Sequence, residues 1–139
     1  MSEMLTIACR GVLSVILLPV LLACKGADPV VHVTGTSTAS DSQISRITVS
    51  FTVTNRGAMK QASNVLQFVD IYQDGIKRDT RSIPPLKPGQ TFSTSYVYQR
   101  SADAGTGTTT LALRLNMRQP RSRGIANCDT SNDSATVTF

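Results

Sequence analysis

The stretch Arg46-Ile47-Thr48-Val49-Ser50-Phe51-Thr52-Val53-Thr54 constrains this chain more than any other. Ile47, Val49, Phe51 and Val53 hold alternate positions, with Thr and Ser between them. A period of two sends successive side chains to opposite faces of a strand, so one face is apolar and the other polar. β-Branched residues dominate and suit a pleated, half-buried surface. Burying four such apolar side chains contributes about 1.5–3 kcal/mol each. This segment is therefore expected to be the wall on which the rest of the chain packs. Asn55-Arg56-Gly57 ends it.

Shorter alternating runs follow the same logic. Val30-Val31-His32-Val33 reads as a first strand, and the Ser/Thr/Gly-rich residues 35–43 as a loop. Residues 65–72 read as a third strand whose inward face is ambiguous, because Leu66 and Phe68 compete with Val65, Val69 and Ile71. Asp74-Gly75 is the strongest turn signal in the chain, since both residues tolerate the positive φ of a two-residue hairpin. The returning strand, residues 76–83, carries Lys77, Arg78, Asp79 and Arg81 and is expected at a sheet edge. Three prolines in Pro84-Pro85-Leu86-Lys87-Pro88-Gly89 lack donors and exclude a paired strand there. Alternation resumes over residues 90–99 (Phe92, Thr94, Tyr96, Tyr98), 108–117 (Leu111, Leu113, Leu115) and 134–139 (Ala135, Val137, Phe139). Seven short strands in a chain of 139 residues predict one all-β domain, an Ig-like seven-stranded antiparallel β-sandwich. With no Trp, three Tyr and four Phe, its core must be largely aliphatic.

Residues 11–23 form an uncharged run behind Arg10. It is too short for a comfortable membrane span of about 20 residues and has the build of a secretory signal. Glu3 is out of place in such a leader, and a start at Met4 would remove it. Leu21-Leu22-Ala23-Cys24 resembles a bacterial lipobox. The resemblance implies diacylation of the Cys24 thiol and cleavage before it, and two or more acyl chains anchor stably. An ordinary secretory leader is the alternative. The expected layout is residues 1–23 as an apolar signal peptide, 24–28 as a tether and 29–139 as the sandwich. Lys25 after Cys24 is not the Asp that retains Gram-negative lipoproteins at the inner membrane, so the outer membrane or cell surface is the expected address. Periplasmic or secreted residence is the alternative.

Cys9 leaves with the signal, so Cys24 and Cys128 remain. A bond between them would close a loop of about 105 residues, worth about 4.7 kcal/mol in the chain-entropy model. Lipidation would exclude that bond. The loop after the sixth strand is also expected at the far end of the sandwich from Cys24. Cys128 is accordingly expected to stay a shielded thiol near the start of the last strand.

The order of these features resembles the CARDB family, Ig-like domains of bacterial surface proteins with a suspected link to cell adhesion. Asp28-Pro29-Val30-Val31 resembles its opening, and residues 49–57, ending Asn55-Arg56-Gly57, its second strand. Residues 68–75 resemble its hairpin, and Ile83-Pro84-Pro85-Leu86-Lys87-Pro88-Gly89-Gln90-Thr91 its Leu-x-Pro-Gly segment. Ser131-Asn132-Asp133-Ser134-Ala135-Thr136-Val137 resembles its closing strand. The acidic residues that usually precede the closing Asn pair are reduced here to Asp129. The inter-sheet disulfide of antibody domains is absent, so Phe51 and Leu113 must replace it by apolar packing. The resemblance implies a scaffold rather than an activity.

No catalytic residues are expected. His32 is the only histidine, and nothing places Asp70 or Asp129 beside it as a nucleophile–base–acid arrangement needs. The one glutamate is Glu3, in the leader. No metal or cofactor is expected: Asp129, Asn132 and Asp133 are too few for Ca²⁺ and are read as caps on backbone groups. The net charge of +5 comes without aromatic residues interleaved among the basic ones, which argues against nucleic acid. Arg114, Arg118, Arg121 and Arg123 form the most distinctive local feature. Guanidinium groups favour phosphate and carboxylate, so these four are the candidate contacts for an anionic glycan, a lipid phosphate or an acidic partner. The expected function is a lipid-anchored, exported binding or structural module of the cell envelope, with a protein or glycan ligand. The alternative is a periplasmic accessory domain docking on an envelope or secretion complex.

Overall fold

A computed structural model describes residues 25–101, 107–118 and 127–139. Seven strands follow in order: β1 Pro29–Ser40, β2 Ile44–Asn55, β3 Leu66–Gln73, β4 Ile76–Ile83, β5 Thr91–Ser101, β6 Thr110–Arg118 and β7 Ser134–Thr138. They form two sheets, a three-stranded one in the order β1-β2-β5 and a four-stranded one in the order β4-β3-β6-β7. Every pairing is antiparallel. The all-β sandwich is as the alternation predicts. The expected leader, residues 1–23 with Cys9, and the lipidation candidate Cys24 lie outside the described residues.

β2 is the central strand of its sheet, and Ile47, Val49, Phe51 and Val53 are all buried in the core between the sheets. Val69 and Ile71 of β3 and Leu111 and Leu113 of β6 face them, with Ile83 and Leu86 closing one side. Phe51 and Leu113 have no exposed surface. Phe92, Tyr96 and Tyr98 of β5 and Val137 and Phe139 at the C-terminus pack around this cluster. Tyr98 and Phe139 meet in a tilted ring contact at 5.9 Å. The ambiguity on β3 resolves in favour of Val69 and Ile71. Burying both together with Leu111 and Leu113 leaves Phe68 half-exposed and Leu66 exposed on the other face.

Asp74 and Gly75 have φ of 49° and 81°, and Gln73 pairs with Ile76, so the hairpin has the expected two-residue turn. Gly89 has φ of 73°, and the Gln90 amide donates to the Lys87 carbonyl at 2.9 Å. That geometry is a type II turn with Pro88 leading, where a residue without Cβ adopts positive φ at no steric cost.

Two boundaries differ from expectation. β1 does not stop at Val33; it pairs with β2 as far as Ser40↔Ser45 after a register shift between Val33 and Gly35. The pairing partner decides this, because β2 offers a full-length edge and an exposed edge strand needs no apolar face. Residues 26–28, expected within the tether, are docked on the domain. Ala27 and Asp28 are buried. The Met59 amide donates to the Gly26 carbonyl at 3.2 Å, and the Arg56 amide to the Asp28 carbonyl at 2.8 Å.

Candidate functional site

Because each strand runs opposite to the one before it, chain entry, the β2–β3 and β4–β5 connections and the β6–β7 connection all gather at one end of the sandwich. Pro29↔Asn55, Thr54↔Thr91, Gln67↔Ile83 and Leu66↔Arg118 mark that end. We call it the N-terminal end.

Its organiser is Asn55, which has no exposed surface. Its Oδ1 accepts from the amides of Asp28 and Gly57, each at 3.0 Å. Its Nδ2 donates to the carbonyls of Met59 at 2.8 Å and Leu86 at 3.0 Å. Its own amide donates to the Gln90 carbonyl at 3.1 Å, and its carbonyl accepts from Gly89 at 2.7 Å. One side chain thus ties the N-terminal segment, the turn after β2 and the proline-rich connection together. Gly57 is required by contact: a Cβ there would lie 2.1 Å from the Gly26 oxygen and 2.6 Å from the Asp28 nitrogen. Leu86, held by Gln61 on both its amide (2.9 Å) and its carbonyl (3.0 Å), plugs the core although no strand carries it. From the sequence, Asn55 and Gly57 are a strand stop and part of the family resemblance, with no sign of the contacts they make. Their signal was the Asn-x-Gly spacing followed by Leu-x-Pro-Gly, two motifs that the fold interlocks.

The β6–β7 connection lies against this hub. Asp129 Oδ1 accepts from the amide of Ser131 at 2.9 Å and from its hydroxyl at 2.6 Å, the capping role expected of it. Asn132 Nδ2 donates to the Asp28 carboxylate at 3.3 and 3.4 Å and, at 3.5 Å, to Asp129 Oδ2. Asn127 Nδ2 donates to Asp133 at 2.5 Å. Burial raises the pKa of Asp133 above the ordinary carboxylate value, and the charges of Asp28 and Asp129 add to it, while Asn127 opposes them. Amide donors therefore stand among these carboxylates. Among the described residues no three His, Cys, Asp or Glu side chains are grouped to hold a metal.

Cys128 overturns an expectation. It is not a thiol: it is disulfide-bonded. Nor is it far from chain entry. Its amide donates to the Ala27 carbonyl at 3.1 Å, and its Sγ accepts from the Gly26 amide at 3.3 Å. Strand parity is the reason. A loop that follows an even-numbered strand of an alternating sandwich returns to the end where the chain began.

The candidate arginines separate. Arg114 is in the middle of β6, exposed, opposite Asp70 and Ser134 in register. Its guanidinium carbon lies 4.9 Å from the centre of the Tyr72 ring, a cation–π contact. Asp70 is instead ion-paired with Lys77 at 2.8 Å. Arg118 is the last residue of β6. Arg121 and Arg123 lie outside the described residues. His32 is exposed on β1, paired with Thr52.

The CARDB family model matches residues 27–118, two thirds of the chain. The chain belongs to the CARDB family. The match spans β1 to β6 and the whole Asn55 hub, and it stops before β7, which the sequence comparison had also drawn in. Two solved structures of the CARDB domain of a Pyrococcus furiosus protein share its fold at 14% identity. One, a solution NMR structure, superposes with a TM-score of 0.57 and covers 82% of this chain and 94% of that one. The other, a crystal structure in complex with di-metal ions, gives 0.58 and covers 84% and 90%. No curated protein matches the chain. As a CARDB domain it is an interaction and adhesion-related module, not an enzyme.

Proposed function

We propose that this CARDB domain is exported and serves as a binding or structural module of the bacterial cell envelope. The observation that carries the reading is the family: a non-catalytic sandwich of this kind offers loops and edges rather than a reaction centre. Arg10 and the uncharged run 11–23 support export, and so does a disulfide, a bond typical of oxidising compartments.

Two forms of envelope residence follow from one leader. In the first, Cys24 in Leu21-Leu22-Ala23-Cys24 carries lipid and holds the domain at the outer membrane or cell surface. In the second, the domain is unanchored, periplasmic or secreted, and docks as an accessory on an envelope or secretion complex. The ligand is an anionic glycan or an acidic protein surface, met by Arg114, Arg118, Arg121 and Arg123. The exposure of Arg114 supports this, as does the position of Arg118 where β6 leads into the connection that carries the other two.

Binding of the purified domain to an anionic polysaccharide, titrated with salt, tests the ligand class. The expected result is binding that weakens as salt rises and drops at least tenfold when all four arginines become serine. Salt-independent binding, or equal binding by the variant, would overturn it.

A further inference from the structure

We infer that β5 is a self-association edge: two copies of this chain pair their β5 strands antiparallel about a two-fold axis at Ser95, so that their three-stranded sheets become one continuous sheet. The inference goes beyond the binding role proposed above and does not depend on export.

The other sheet edges are blunted. β4 carries Lys77, Arg78, Asp79 and Arg81, with Arg81 ion-paired to Asp79 at 3.0 Å. β7 has only 5 residues. β1 is broken by the register shift between Val33 and Gly35, and its Val31 amide donates to the Asn132 carbonyl at 3.4 Å. Charge, shortness and a bulge are the ordinary protections of an edge strand. β5 has none of them. It is 11 residues long and ends its sheet. Its register with β2 runs unbroken from Ile44↔Ser101 to Thr54↔Thr91. Residues 91–99 contain no Pro, no Gly and no charge, and Thr, Phe, Tyr and Val are frequent among them. Arg100, the one charge of the strand, donates to the Gly107 carbonyl at 3.0 Å. One row of amides and carbonyls on such a strand points away from β2, a template for a further strand.

The occupant is a second copy because the strand complements itself. In an antiparallel pair about a perpendicular two-fold axis, residues opposite each other share a face. With Ser95 on the axis, Phe92 lies opposite Tyr98 of the second copy, Thr94 opposite Tyr96, Ser93 opposite Val97 and Thr91 opposite Gln99. Phe92, Tyr96 and Tyr98 are half-buried against the core, so the two Phe–Tyr pairs carry the inner layer across the axis, and aromatic pairs are favourable cross-strand combinations. Val97, 47% exposed on the outer face, gains a neighbour from the second copy. No charge meets its like, because Arg100 lies beyond the paired residues. A charged partner strand would find no counter-charge over residues 91–99. The antiparallel pairing leaves the Asn55 hub of each copy at an outer end of the dimer.

The test is sedimentation of the purified protein, expressed from the full-length chain, over a range of concentrations, with variants at Ser95. Ser95 is exposed, so S95K and S95E are expected to keep the wild-type denaturant midpoint at low concentration. The wild type is expected to pass from monomer to dimer as concentration rises. Each variant alone is expected to self-associate at least about tenfold more weakly, because like charges face each other across the axis. An equimolar mixture of S95K and S95E is expected to recover the dimer. A wild type that stays monomeric at every concentration, as an edge reserved for another protein would, overturns the inference. So does a dimer that both variants leave intact, which uses another surface. A mixture that associates no more tightly than either variant alone takes Ser95 off the axis and overturns it too.

Discussion

At the scale of single residues the fold rests on a few side chains that the apolar pattern does not single out. Asn55 uses both atoms of its amide group twice, inside the protein. Truncation leaves the amides of Asp28 and Gly57 and the carbonyl of Met59 without their partner, while the Leu86 carbonyl keeps the Gln61 amide, at about 1–3 kcal/mol for each group left unsatisfied. Asn55→Ala is expected to cost at least about 3 kcal/mol in urea unfolding, as much as a core deletion. Phe51→Ala is expected to cost about 3–5 kcal/mol, and an unchanged midpoint would disprove the burial of that face. The acids give opposite pH signatures. Burial works against the charge of Asp70, but Lys77, Asn116 and Thr80 together hold its pKa below the ordinary value. Its contribution is thus present above about pH 4, where the unfolded carboxylate also ionises, and is lost as pH falls through the lower folded value. Asp133 is raised, chiefly by burial, so its charge disfavours the fold at neutral pH. Asp133→Asn is expected to be neutral or stabilising at pH 7, with an advantage that shrinks as pH falls towards 4. Asp70→Asn is expected to be destabilising at pH 7. Urea midpoints of both variants from pH 3 to 7 check the signs.

At the scale of elements, what was legible in the sequence was whatever alternates or turns. β2 announced itself through Ile47, Val49, Phe51 and Val53, and the β3–β4 hairpin through Asp74-Gly75, because strand period and positive φ are local properties. Gly75→Ala is expected to cost about 1 kcal/mol by placing a Cβ at φ of 81°, read from thermal unfolding. The second half of β1 was not legible. Gly35 to Ser40 carry no apolar period, and only the edge of β2 makes them a strand. The same holds for Leu86, which lies among prolines and is buried by hydrogen bonds that Asn55 and Gln61 supply from elsewhere in the chain. The place of Cys128 could have been found from strand parity alone, once seven alternating strands were predicted. Arg114 could not be told from its basic neighbours, because its Tyr72 partner comes from another strand.

At the scale of the whole molecule, the N-terminal end of the sandwich joins family, fold and address. The motifs that carry the family resemblance, Asn55-x-Gly57 and Leu86-x-Pro88-Gly89, meet there and lock the incoming chain. The segment they lock, residues 26–28, is the one that follows the proposed leader, residues 1–23. Export is therefore the claim on which the envelope function depends. The most direct measurement is the intact mass and cellular fraction of the full-length chain expressed in a bacterium. The account predicts a chain that has lost its leader and is recovered outside the cytoplasm. A chain that still begins at Met1 or Met4 and remains in the cytosol would contradict it.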